Sequence, residues 1–190
     1  MTTINHAHGN RGFSLIEVTI ATGVMASALV ALGQMLAISV SNNRTARTLT
    51  YATVLAEQKM EQLRGLAWGF DSTGASVTDT TTNTAAPLDG ANGGTGLSRS
   101  PADTIAQSTD GWVDYLDQFG AALGGGVLPP PNTLYIRRWA IEPLPADPAN
   151  TIVIHVLVTP HVNRGLAGAA LNRRLPLEAR LVSVKTRKAP

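Results

Sequence analysis

One stretch of this chain limits its fold more than any other. From Phe13 to Val40 the sequence reads FSLIEVTIATGVMASALVALGQMLAISV, and Glu17 is its only charged residue. No charge follows Glu17 until Arg44. The 23 residues from Val18 to Val40, wound as a helix at ~1.5 Å per residue, cover the ~30 Å hydrocarbon core of a bilayer. A buried helix of a soluble protein seldom stays apolar for so long without a break. The stretch is therefore expected to span a membrane or to derive from a membrane helix. Its flanks decide orientation less firmly, because Arg11 precedes it while Arg44 and Arg47 follow. A short N-terminal flank stays inside more easily than the large remainder of the chain.

The 190 residues leave room for one globular domain beside that helix. Hydrophobic residues make up 44% and charged residues 15%, which argues against a charged disordered tail. The 18 glycines and 11 prolines point to a loop-rich fold. A net charge of +2 creates no overall field that would select nucleic acid or acidic lipid. With no cysteine, the chain cannot hold a disulfide framework, a thiolate zinc site or an iron–sulfur cluster. A cysteine nucleophile and a lipidated N-terminal cysteine are excluded as well.

Charge is distributed in three blocks. Residues 1–67 carry +2. Residues 68–134 carry seven aspartates against Arg99, for −6, and residues 135–190 carry nine Lys and Arg against three acids, for +6. The first block is apolar and helical, the second rich in Gly, Thr and Asp, the third β-like. Neither later block could bury much core alone, so all three belong to one molecule.

Glu17 decides among readings of the N-terminus. A carboxylate inside an apolar helix costs about 2.5–3.5 kcal/mol on insertion scales, so it calls for a partner or a function. A plain membrane anchor leaves it unexplained. A cleaved secretory signal could use Ala26-Ser27-Ala28 as its small-residue site. That reading places Glu17 inside the apolar core and lets the apolar run continue past the cut.

The run Arg11-Gly12-Phe13-Ser14-Leu15-Ile16-Glu17-Val18 ahead of an unbroken apolar helix resembles the processing motif of the type IV pilin superfamily. The match covers Gly12 to about Val40. The resemblance implies a pilin-like α+β fold and removal of the leader 1–12 by a membrane prepilin peptidase that cuts between Gly12 and Phe13. Glycine, lacking Cβ, suits close approach of a peptidase to the backbone. The same enzyme would methylate the new N-terminus of Phe13. Glu17 would then serve subunit assembly. The positive Phe13 amine and the Glu17 carboxylate would each be costly alone in an apolar bundle, and pairing between subunits would fix axial register. Small residues (Gly23, Ala26, Ser27, Ala28, Ala31, Gly33) would let neighbouring helices approach. The implied location is a bacterial inner membrane, with leader cytoplasmic and head periplasmic, and later a periplasmic filament or pilus. The implied partners are the peptidase/methyltransferase, other pilin or pseudopilin subunits, an inner-membrane assembly platform and membrane lipid. Major pilins often carry proline where this chain has Gln34, so no kink is expected and a minor subunit or pseudopilin is favoured.

Beyond the assembly segment 13–43, an amphipathic helix half is expected over 44–68. Ala52, Ala56, Met60, Leu63 and Ala67 recur at helical spacing, Leu55 and Leu66 widen the stripe, and Gly69 is a stop. The run LAEQKMEQLR resembles minor pseudopilins of the I type and minor pilins of the V type. Residues 69–134 form a variable helix-to-sheet region, in which Trp112–Phe119 suits either a short helix or a strand and Pro129–Pro131 a stiff spacer. Residues 135–190 are expected to supply a small antiparallel sheet of three to four strands, with runs at 133–142, 151–159 and 177–186. In the first run Leu134 and Ile136 set the apolar face, with a break before Trp139 and Ile141. The sheet would pack on the helix stripe.

Few other residues suggest chemistry. The Gly-rich run Ala91–Gly96 lacks the Lys-Ser/Thr of a phosphate loop. His155 and His161 read as ordinary residues. Asp110, Asp114 and Asp117 could bind calcium but lack EF-hand spacing. No catalytic arrangement, metal site or cofactor is expected, and the chain is read as a structural subunit and not an enzyme. An alternative is a DNA-binding minor pilin, with Arg137, Arg138, Arg173, Arg174, Lys185, Arg187 and Lys188 on one face. Their bland reading is a solvated rim, or a partner for the acidic middle block.

Overall fold

A computed structural model describes residues 12–85, 94–161 and 177–187. It divides into two compact units, Met1–Arg44 and Thr45–Pro190.

A single helix, α1, runs Leu15–Gly65. Ser14 starts it: its carbonyl accepts the amides of Glu17 at 3.0 Å and Val18 at 3.2 Å. The hydroxyls inside the apolar stretch return to the helix's own carbonyls, Thr19 to Leu15, Thr22 to Val18 and Ser27 to Val24. This is what a polar side chain does where no water is at hand. The helix stops at Gly65, earlier than the stripe suggests. Lys185 Nζ, from the last strand, donates to the carbonyls of Arg64 and Leu66, closing the helix end with a cation. Trp68 is therefore not helical. It opens β1 (Trp68–Phe70), which pairs antiparallel with β2 (Ser76–Thr78).

Among the described residues the main sheet has five antiparallel strands: β3 (Val113–Leu116), β4 (Ala122–Gly124), β5 (Tyr135–Pro143), β6 (Thr151–Pro160) and β7 (Ala179–Thr186), in the order β4-β3-β5-β6-β7. The three runs expected from alternation are β5, β6 and β7. The other two strands come from the 69–134 region, so the sheet is larger than three to four strands. Within Trp112–Phe119, Val113–Leu116 is strand and pairs along β5, while Gln118 and Phe119 lie in the turn that follows.

The core forms where the second half of α1 meets this sheet. Ala52, Leu55, Ala56, Met60 and Leu63 pack with Leu116, Trp139, Ile141, Ile152, Ile154, Val156 and Val158. In β5 the inward set is Arg137, Trp139 and Ile141, all buried, so the strand keeps one phase with no break. The Leu134–Ile136 phase expected from sequence is the opposite face. Arginine at an inward position hides the true alternation.

The acidic middle block is mostly turn chemistry. Asp71 Oδ1 accepts from Thr73 N, Thr73 Oγ1 and Ala75 N at the β1–β2 turn. Asp79 accepts from Thr81 N, Thr82 N and Thr82 Oγ1. Asp117 accepts from Phe119 N and Ala121 N in the β3–β4 turn. These are local side-chain-to-backbone turns that acidic residues favour. The hydroxyl of Thr73, followed by the Ala75 and Thr73 amides, holds the Asp71 carboxyl below its usual range.

Candidate functional site

The N-terminal motif lies where α1 begins. Gly12 and Phe13 precede the helix, Phe13 is 83% exposed, and Glu17 sits in its first turn. Arg11 and the rest of the 1–11 segment lie outside the described residues. Every large apolar side chain from Phe13 to Val40 is between 52 and 85% exposed. Covering a Val, Leu, Ile, Phe or Met side chain is worth about 1.5–3 kcal/mol, and these side chains together represent tens of kcal/mol of uncovered surface. The stretch is left uncovered by the described residues. It is long and apolar enough to cross a membrane. A side chain added at Gly23 or Gly33 would meet nothing within 4 Å, which leaves both positions open to a neighbour. Among the described residues Glu17 has no ion pair.

The second unit contrasts with this. Asp114 on β3 is fully buried, and one of its oxygens, Oδ2, takes two cations. Lys59 Nζ stands 2.8 Å away, and Arg137 approaches through Nη2 at 2.8 Å and Nε at 3.0 Å. Arg137 and Asp114 are cross-strand partners in the β3–β5 register. Arg137 Nη1 also donates to the Leu55 carbonyl at 3.1 Å and to Gln58 Oε1 at 3.2 Å, tying the sheet to α1. Lys59 Nζ donates to the Thr84 carbonyl and lies 4.1 Å from the centre of the Trp139 ring. Burial pushes the Lys59 ammonium down to about 8, against the opposing pull of Asp114. Two cations on one carboxylate leave the cluster a net positive charge. It joins helix to sheet through a buried charge network.

Lys59 was not singled out from sequence, although it falls on the stripe: Ala52, Ala56, Lys59 and Leu63 follow helical spacing. A lysine on an otherwise apolar face was the available signal that an acid waits opposite.

The three aspartates considered for calcium do not converge. Asp114 is the buried counter-ion, Asp117 caps its turn, and Asp110 accepts from the neighbouring Gly111 amide. Among the described residues no group of three His, Asp or Glu could hold a metal ion. His155 is half-buried in β6, its Nδ1 without a hydrogen-bond partner, and burial lowers its pKa. His161 uses its backbone amide to close on the Leu134 carbonyl. In the Gly-rich run, Ala91–Gly93 lie outside the described residues. Gly96, at φ +49°, sits so close to Asp79 that a Cβ would meet its carbonyl oxygen at 2.5 Å, so the glycine serves packing.

Where they are described, the basic residues considered for DNA each bond to groups of the chain itself. Arg137 is locked to Asp114, and Arg138 donates to Ser108 Oγ. Lys185 caps α1. Arg187 stacks on Trp68 at 3.8 Å and donates to the carbonyls of Ala149, Gly69 and Val77. Arg173, Arg174 and Lys188 lie outside the described residues.

The described residues define an α+β protein with one membrane-length apolar helix and a separate antiparallel sheet. No family model, curated protein or solved structure matches the chain.

Proposed function

We propose that the chain is the precursor of a structural filament subunit, a minor pseudopilin or minor pilin of the type IV pilin superfamily. It is processed at Gly12–Phe13 and assembles through its N-terminal helix. The observation that carries the reading is Gly12-Phe13 with Glu17 four residues on, at the start of a helix whose apolar side chains are uncovered from Phe13 to Val40. Cleavage after Gly12 places a charged amine on Phe13, and a neighbouring subunit's amine offsets Glu17. The open surfaces at Gly23 and Gly33 admit neighbouring helices. Before assembly the stretch anchors the chain in the inner membrane, leader cytoplasmic and head periplasmic. Its partners are the prepilin peptidase/methyltransferase, related subunits and the assembly platform.

Mass spectrometry of the mature chain tests the reading. The expected product begins with N-methylated Phe13, and any other mature N-terminus overturns it. Glu17→Ala is expected to be cleaved and folded but lost from filaments, measured as the fraction of mature chain recovered in sheared filaments.

A further inference from the structure

The outer face of the main sheet carries an arginine whose bonding is incomplete. Along β5 the inward set is Arg137, Trp139 and Ile141, so Arg138 lies on the opposite face. In the strand register it stands between Val113 of β3 and Leu157 of β6, and Leu157 in turn stands beside Arg180 of β7. Arg138 is half-buried. Its Nε and Nη2 both donate to one neutral atom, Ser108 Oγ, at 3.3 and 3.2 Å. Burial lowers its pKa, and the opposing electrostatic pull comes from Tyr115 and not from a carboxylate.

A guanidinium has five N–H donors and no acceptor. Two of these five go to Ser108, and Nη1 has no partner among the described residues. A serine oxygen that accepts two bonds has used its lone pairs and keeps its own proton to donate. Among the described residues the enclosed side-chain polar atoms without a partner are Trp139 Nε1 and His155 Nδ1, so the spare donors of Arg138 and Ser108 are open to solvent. Of the 13 acidic residues all but Asp89 are described, and none of these forms an ion pair with Arg138. That includes Asp103 and Asp110 on the loop that carries Ser108, Glu142 farther along β5 and Glu178 just ahead of β7. The result is a half-buried cation beside a hydroxyl, with donors to spare and no acceptor facing them.

We propose that Arg138 and Ser108 form a binding site for a small oxyanion, a carboxylate or phosphate group. Nη1 and the second proton of Nη2 form the edge of the guanidinium that grips two oxygens at once. The Ser108 hydroxyl adds a third donor beside that edge. A partly desolvated cation without a counter-ion costs free energy, and a bound anion offsets that cost. Arg180 adds a second positive charge on the same face. At the strand spacing of a sheet its Cα lies about 10 Å from that of Arg138, across Leu157. Every residue of the site belongs to the second unit, so the inference goes beyond the filament reading and does not depend on it.

The test reads the free edge directly. Full-length chain in detergent is treated with phenylglyoxal, which condenses with accessible guanidinium groups, and the modified arginines are located by peptide mass spectrometry. The reaction is run in sodium chloride, acetate and phosphate at equal ionic strength. Arg138 is expected to react in chloride and to be slowed several-fold by the oxyanions, while the exposed Arg99 reacts alike in all three. Slowing by phosphate alone narrows the ligand to a phosphate group, and slowing by acetate alone to a carboxylate; either supports the site. In Ser108→Ala the slowing is expected to weaken while Arg138 stays reactive, and undiminished slowing overturns the paired site. Equal rates at Arg138 in the three salts overturn the proposal, as does equal slowing at Arg99, which would mark a general ionic effect. If Arg138 is inert in chloride, Asp89→Asn decides the reason: reactivity gained identifies Asp89 as the occupant, reactivity still absent shows an enclosed side chain, and both overturn the site.

Discussion

Two carboxylates separate the two units. Asp114 is fully buried and its charge is more than balanced inside the chain, by Lys59 and Arg137. Glu17 stands at the head of an uncovered apolar helix with no ion pair among the described residues. The head closes its own electrostatics and its own core. The N-terminal stretch closes neither. In the filament reading the first unit is complete only in company, so defects in it should appear in assembly and defects in the second unit in folding.

The strongest break of that contrast would come from equalising the two acids. Asp114→Ala leaves two buried cations without a counter-ion, and such a loss costs about 3–5 kcal/mol. The head is expected to melt far lower or not to fold, read by tryptophan fluorescence, since Trp112 and Trp139 sit in or against its core. Glu17→Ala should leave that melt within about 0.5 kcal/mol of wild type. Equal destabilisation by both substitutions would erase the distinction between the units.

Lys59→Met sharpens the comparison by removing one cation of the cluster while keeping an unbranched chain. One cation then faces one carboxylate. Arg137 still faces Asp114, so no buried charge is left uncompensated, and the loss at neutral pH is expected to stay below the ~3–5 kcal/mol of a broken buried pair. The sign of the pH dependence follows from burial, which lowers the Lys59 pKa from 10.5 to about 8. Between those values the unfolded chain binds more protons than the folded one, so the Lys59 contribution to stability rises with pH through that window. Below it the charged lysine bears its full desolvation cost. Urea melts across that range should show wild type gaining stability relative to Lys59→Met as pH rises, and the opposite trend would reverse the assignment.

The smallest effect is expected at the helix end. Lys185→Ala removes the donor to the Arg64 and Leu66 carbonyls, worth about 0.5–1.5 kcal/mol. Hydrogen exchange should quicken in the last turn of α1 before global stability changes. A global loss as large as that of Asp114→Ala would mean the strand-to-helix cap matters as much as the buried cluster.

Sequence legibility followed the same divide. The apolar stretch and the strands β6 and β7 were readable because their side chains report one environment each, oil or a pleated core. The β5 phase was not, because Arg137 and Trp139 share the inward face and an arginine there reads as a solvent position. Asp114 looked like one acid among seven. Nothing local distinguishes it from Asp117, which caps a turn three residues later.

What the residue order determined by itself is the membrane-length helix, its isolated Glu17 behind Gly12-Phe13, and the runs that become strands. Periodicity and hydrophobicity act between near neighbours and survive without a fold. Which charges are buried, where α1 stops and how β3 and β4 join the sheet were decided only in three dimensions. Asp114 meets Lys59 across 55 residues of chain and Lys185 meets the α1 end across 121. Only close packing in a low-dielectric interior gives such distant charges an energy large enough to choose their partners.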